Sequence, residues 1–162
     1  MGLMTDALLV DDDPNKIRQL RAFLANEFPN LEIHERNSFQ SGLKFALLNS
    51  PDILILDMTM PTYDVGGKET GGHERRYAGH EILRRLKRRR IFLPTIIVTQ
   101  FERFGEREEL ITLSELKNKL ENEFSENYAG AVFYQAADAQ WRIDLRNAIE
   151  KLGCQVKQKD TT

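Results

Sequence analysis

Ile53-Leu54-Ile55-Leu56-Asp57-Met58-Thr59-Met60-Pro61 is the stretch on which the fold turns. Four consecutive apolar side chains point alternately to both faces of a strand, so both faces must be covered, as in a central parallel strand. The run ends on a carboxylate, Asp57. Upstream, Ala7-Leu8-Leu9-Val10 is a second run of this kind and ends on Asp11-Asp12-Asp13. Pro14 follows where a first helical turn tolerates proline, and Asp13 is placed to cap that turn. Ile17, Leu20, Leu24 and Phe28 then recur at helical spacing, which predicts a helix over 14–28 with one buried stripe. Leu31–His34 reads as a short second strand, and Ser38 caps a helix carrying Leu43, Ala46 and Leu47 that Pro51 stops.

Downstream the alternation continues. Ile82, Leu83 and Leu86 lie on a third helix whose exposed face is strongly basic, and Thr95–Thr99 is a fourth strand. Residues 105–125 read as a charged helix with Leu110, Leu113, Leu116 and Leu120 as its stripe and Phe124 near its end. Ala131–Tyr134 is the fifth strand, and Trp141, Leu145, Ala148, Ile149 and Leu152 make the last helix amphipathic. Five strands alternating strictly with five helices imply an α/β fold, a doubly wound five-stranded parallel sheet of the flavodoxin-like kind. In such sheets ligands sit beyond the carboxyl ends of the strands, where the strand order reverses.

Composition narrows the class. The chain has 162 residues, 41% hydrophobic and 30% charged, enough for one domain with a real core. A formal net charge of −2 gives no general attraction to nucleic acid or to an anionic membrane. Cys154 is the sole cysteine and has no internal disulfide partner, which suits a reducing, cytoplasmic setting. The start, MGLMTDALLVDDD, has no basic segment before its short apolar run, so no signal peptide is expected, and no stretch reaches transmembrane length.

The acids fall at strand ends: Asp11 and Asp12 after the first strand, Asp57 after the third, with Thr99 closing the fourth. In this topology those ends are neighbours, so the carboxylates converge on one crevice. Like charges held so close are costly unless a cation joins them, and a few carboxylates with several waters suit Mg²⁺. A carboxylate in such a pocket is a competent nucleophile toward phosphorus, and a nearby hydroxyl can bind the transferred oxygens.

LLVDDDP, LILDMTMP and PTIIVTQ together resemble, in order and spacing, the leading signatures of response-regulator receiver domains, and the likeness runs from about residue 6 to residue 152. The resemblance implies a receiver-like domain over 1–152 and a polar, frayed tail over 153–162. It implies Asp57 as the phosphorylated aspartate and Asp11 and Asp12 as the acidic pair, with Asp12 as a direct Mg²⁺ ligand beside Asp57. Thr59 occupies the position whose backbone carbonyl binds the metal, Thr99 matches the switch hydroxyl, and Tyr134 is placed as the aromatic switch. The implied partners are a histidine kinase or phosphotransfer protein and a further protein that receives the signal.

Three departures from the family pattern stand out. Receivers carry a lysine just after the fifth strand; here FYQAADAQW puts Gln135, Ala136 or Ala137 in that place, and no lysine occurs between 120 and 150. An added segment, residues 62–78, separates the third strand from its helix. Its Lys68, Arg75 or Arg76 offer replacement cations if the segment folds over the pocket, although a solvated loop is the more common outcome for such a glycine-rich stretch. The connection over 101–127 is also long, and Gln100 stands where a small residue is usual. The basic run Arg84–Arg90 is ordinarily a solvated helix face, and His73, His80 and Cys154 lack metal-ligand spacing.

Two functions compete on these residues. One is a stand-alone response regulator, not itself an enzyme, that accepts a phosphoryl group on Asp57 and signals through protein–protein contact. The other is a pseudo-receiver that keeps the fold and works as a phosphorylation-independent interaction module. A phosphatase with an aspartyl nucleophile would want a second acid two residues after Asp57, where Thr59 stands.

Overall fold

The computed structural model describes residues 4–61, 74–75, 78–104 and 111–153. In chain order the first half comprises β1 (Asp6–Val10), α1 (Pro14–Glu27), β2 (Glu32–Arg36), α2 (Phe39–Asn49) and β3 (Ile53–Leu56). Then come two short strands, β4 (Met60–Pro61) and β5 (Glu74–Arg75), followed by α3 (Ala78–Arg88) and β6 (Thr95–Thr99). The last part holds β7 (Arg103–Phe104), β8 (Ile111–Thr112), α4 (Leu113–Glu123), β9 (Tyr128–Phe133) and α5 (Gln140–Lys151).

β3 is central because all four of its side chains are buried, which only cover on both faces allows. It lies between β1 and β6 in a five-stranded sheet of order β2-β1-β3-β6-β9, and every pairing in that sheet is parallel. The order reverses between β1 and β3, the place where a doubly wound sheet opens a crevice. Neighbouring residues of one strand feed opposite cores. Leu9 and Ile55 join Leu20, Leu24, Trp141 and Leu145 of α1 and α5. Leu8 and Leu54 join Ile82, Leu86, Leu116 and Leu120 of α3 and α4. Each such leucine or isoleucine contributes about 1.5–3 kcal/mol by leaving water.

The helix starts obey local chemistry. The Asp13 carboxylate accepts from Asn15 N and Lys16 N, with Pro14 at the first helical position. The Ser38 hydroxyl accepts from Ser41 N at 3.2 Å to start α2. Several element bounds needed correction, the fifth strand of the sheet among them, which runs Tyr128–Phe133 and stops short of Tyr134. The second strand runs Glu32–Arg36, beyond the short stretch 31–34 read from alternation. The helix read over 105–125 begins only at Leu113, because Thr112 caps it by accepting from Glu115 N, and the β-branched pair Ile111–Thr112 instead pairs with Arg103–Phe104 as a two-stranded ribbon. Leu110 lies outside the described residues.

In the segment after β3, Met60 and Pro61 pair antiparallel with Arg75 and Glu74. α3 then begins against the end of β3: Gly79 N donates to Met58 O at 3.1 Å, and a Cβ on Gly79 would stand 2.7 Å from Asp57 O. That close approach fixes one wall of the crevice beside Asp57.

Candidate acidic and phosphoryl-acceptor site

The parallel register sets the carboxylates level. Val10 pairs with Leu56, so the residues that follow, Asp11 and Asp57, leave the sheet side by side, and Asp57 N donates to Val10 O at 3.0 Å. Asp11 and Asp57 are buried while Asp12 is exposed, and one oxygen from each of the three lies within 4.8 Å of the others. Thr59 is buried in the short turn between Asp57 and β4. Thr99, at the end of the adjacent strand, is fully buried, and its hydroxyl accepts from Phe101 N at 3.2 Å.

The pocket holds a residue that the sequence reading passed over. Lys16, in the first turn of α1, is only 1% exposed. Its ammonium donates to Asp11 Oδ2 at 2.6 Å and to Val98 O at 2.6 Å, and stands 3.6 Å from Asp57 Oδ1. The Tyr134 ring lies beside it, centroid 5.8 Å from Nζ. A signal for this existed. Lys16, Leu20 and Leu24 are spaced by one helical turn each, so the lysine extends the buried stripe of α1 toward the carboxyl ends of the strands.

Tyr134 directly follows β9, and its N–H donates to Thr99 O at 2.7 Å. Its side chain is buried with α1 and α5: the hydroxyl donates to Gln19 Oε1 at 3.0 Å and the ring packs 5.2 Å from that of Trp141. Gln135, Ala136 and Ala137 are all exposed. Of the replacement cations expected from the added segment, Lys68 and Arg76 lie outside the described residues, and Arg75 is described only through its backbone pairing with Met60.

Electrostatics distinguish the carboxylates. The Asp57 carboxyl is raised to about 7, chiefly by burial and then by the neighbouring charges of Asp11 and Asp12, with Lys16 and the Met58 N–H opposing the rise. Burial alone would lower the Lys16 ammonium, but Asp57 and Asp11 outweigh it, so Lys16 is held more firmly protonated than usual. Three carboxylates facing one ammonium leave an excess of negative charge. A divalent cation discharges that excess, and the exposed side of Asp12 leaves room for the waters that Mg²⁺ retains. The acidic cluster of Asp11, Asp12 and Asp57 therefore fits Mg²⁺.

Several charged groups elsewhere have ordinary partners. Arg84 and Arg85 of α3 pair with Glu81, and Lys87 donates to Glu123 O at 2.6 Å. His80 meets Glu123 Oε2 at 3.0 Å, while His73 and Cys154 lie outside the described residues. No helix among the described residues is long and apolar enough to cross a membrane.

No protein-family model matches the chain. It is 37% identical over 150 residues to the Detocs response regulatory protein DtcB of Enterobacter cloacae, covering 90% of this chain and 98% of that protein. It is 34% identical over 142 residues to the uncharacterized protein y4jR of Sinorhizobium fredii, covering 87% of this chain and 94% of the relative. Among solved structures, the CheY-like response regulator receiver domain protein of Methanospirillum hungatei superposes with a TM-score of 0.59 at 17% identity, over 94% of this chain and 95% of that one, a likeness of fold.

Proposed function

Because the chain belongs to the response-regulator receiver family, we propose that Asp57 accepts a phosphoryl group from the phosphohistidine of a histidine kinase or phosphotransfer protein. The observation that carries this reading is the convergence of Asp11, Asp12 and Asp57 within 4.8 Å at the reversal of strand order. An Asp57 carboxylate oxygen forms the new O–P bond, the P–N bond breaks, and the imidazole nitrogen keeps its electron pair. Mg²⁺, when bound, neutralises charge on the transferring group. Asp12 and Asp57 would hold that ion, with Asp11 completing the acidic cluster and the Thr59 carbonyl as a further ligand. Thr99 supplies the switch hydroxyl, and Tyr134 is the aromatic residue tied to it through the Thr99 carbonyl. The output is contact with another protein.

Intact-mass measurement after incubation with acetyl phosphate and Mg²⁺ tests the assignment. One phosphoryl group on the wild type and none on Asp57→Asn is the expected result; a phosphoryl group on any other residue removes it. The second reading, a pseudo-receiver, is favoured by the lack of lysine between 120 and 150. Its signature is Mg²⁺ binding without any adduct.

A further inference from the structure

We propose that Lys16 is the phosphoryl-binding cation of this receiver, supplied from the first turn of α1 in place of a lysine after the fifth strand of the sheet. The proposal rests on Asp57 being the phosphoryl acceptor. Its basis is the position of the ammonium: buried, between the acceptor and the acidic pair, and anchored to the strand that ends in Thr99.

An ammonium has three donors and no acceptor. Two of those of Lys16 are firmly used, at 2.6 Å to Asp11 Oδ2 and 2.6 Å to Val98 O. The third contact, 3.6 Å to Asp57 Oδ1, is longer than the roughly 2.7–2.9 Å of a charge-assisted hydrogen bond. Lys16 thus holds donor capacity in reserve on the side of the acceptor. A phosphoryl group on Asp57 brings new anionic oxygens to that side and turns a loose contact into an ionic hydrogen bond.

The other elements around the ammonium agree with this role. Asp11 Oδ1 accepts from Asp13 N at 3.0 Å, so the carboxylate that holds Lys16 is itself fixed by the cap of α1. Tyr134 fills the space where β9 ends, with its hydroxyl on Gln19 of the same helix as Lys16. A lysine reaching in from that strand end would bring a second ammonium beside the first, an unfavourable pair at low dielectric. The lysine on α1 and the lysine after the last strand are alternatives. Because Lys16 also holds Val98 O, a shift of the ammonium toward a phosphoryl group is transmitted to the residue preceding Thr99.

With acetyl phosphate as donor, Asp57 forms the O–P bond, the P–O bond to the acetyl group breaks, and acetate leaves with the electron pair. Lys16 keeps its proton and supplies charge alone.

The test compares wild type, Lys16→Met and Lys16→Gln for beryllofluoride affinity in Mg²⁺ and for acetyl phosphate adducts by intact mass. Loss of one charge-assisted hydrogen bond predicts affinity and adduct formation reduced roughly ten- to a hundredfold, with Mg²⁺ still bound. Variants that match the wild type in both measurements overturn the proposal. A wild type that forms no adduct and binds no beryllofluoride fails at the level of Asp57 and takes this proposal with it, so the two failures are distinct. Should neither variant fold, the wild-type protein decides: the Lys16 side-chain nitrogen resonance must shift when beryllofluoride is added to the Mg²⁺-loaded protein, and an unchanged resonance overturns the assignment.

Discussion

Lys16 Nζ stands a full ångström closer to Asp11 than to Asp57, 2.6 Å against 3.6 Å, although both carboxylates are buried in the same crevice. The inequality sets the character of the site. Asp11 has the ammonium as a close partner and a backbone N–H from Asp13, whereas Asp57 has the Met58 N–H at 2.9 Å and a distant cation. Asp57 is therefore the carboxylate whose ionised form is least well compensated, and also the one left available for chemistry.

That imbalance makes Asp57 a stability liability in metal-free protein. Its carboxyl is raised from 3.8 to about 7, chiefly by burial, so the folded state holds the proton more tightly than the unfolded chain does. The penalty is absent below the ordinary carboxyl range, grows as pH rises from about 4 to about 7, and is complete above that. At about 1.4 kcal/mol per unit it amounts to a few kcal/mol. Asp57→Asn in a chelator should melt higher than the wild type at pH 8, with the gap closing toward pH 4.5. Equal melting at pH 8 would contradict the account.

Mg²⁺ should reverse this order. Binding to the folded state alone stabilises in proportion to the logarithm of ion concentration over Kd, and a site completed largely by water binds at roughly millimolar concentration. Wild-type melting temperature should rise with added Mg²⁺ and fall again with chelator. Asp12→Ala and Asp57→Asn should show much weaker dependence. If Asp57→Asn gains as much from Mg²⁺ as the wild type, Asp57 is not a ligand.

The fold was legible where one pattern spoke alone. Ile53–Leu56 announces a strand covered on both faces, and Asp13-Pro14 announces a helix start, because nothing in the surroundings competes with those local demands. The leucine spacing after residue 104 could not say where its helix began; the Thr112 hydroxyl does, accepting from Glu115 N and donating to Glu115 Oε1. Of the site, the carboxylates followed from their strand ends. The spacing of Lys16 from Leu20 and Leu24 does not by itself bury it, because a lysine at the edge of an apolar stripe ordinarily marks the boundary with solvent. Only the register of α1 against β1 and β3 turns it inward, and that is a tertiary fact.

Gly79 offers a way to disturb the acceptor without touching a charge. A Cβ there would stand 2.7 Å from Asp57 O, 2.9 Å from Met58 Cε and 3.1 Å from Met58 Cα, so backbone as well as the flexible methionine must move. Overpacking of this kind costs about 1–3 kcal/mol. Gly79→Ala should lower the melting temperature and weaken Mg²⁺ binding together, since α3 presses on the residue that carries the ligand. A variant that loses stability but binds Mg²⁺ like the wild type would show that the wall and the acid are independent.

Tyr134 provides the sharpest contrast between holding and switching. The backbone places it: β9 exposes alternate residues to alternate faces, Val132 is buried in the α1 and α5 core, and Tyr134 follows on the same side. Its hydroxyl bond to Gln19 and its ring beside Lys16 and Trp141 tie the end of β9 to α1. Tyr134→Phe removes one hydrogen bond and keeps the ring, which should cost about 1 kcal/mol of stability. Because the ring still shields the ammonium, beryllofluoride affinity should stay within about twofold of wild type, as for a change that removes no interaction with the phosphoryl group. Tyr134→Ala opens the space beside Lys16 to water, screens the ammonium and loses several kcal/mol of packing; its affinity should fall. An aromatic residue that switches by moving outward would instead make Tyr134→Phe alter the beryllofluoride-induced change in Trp141 fluorescence, since the Gln19 bond would then be one of the contacts that resist the move. Equal fluorescence responses in wild type and Tyr134→Phe, with the expected loss of stability, identify Tyr134 as the fixed wall of the Lys16 pocket.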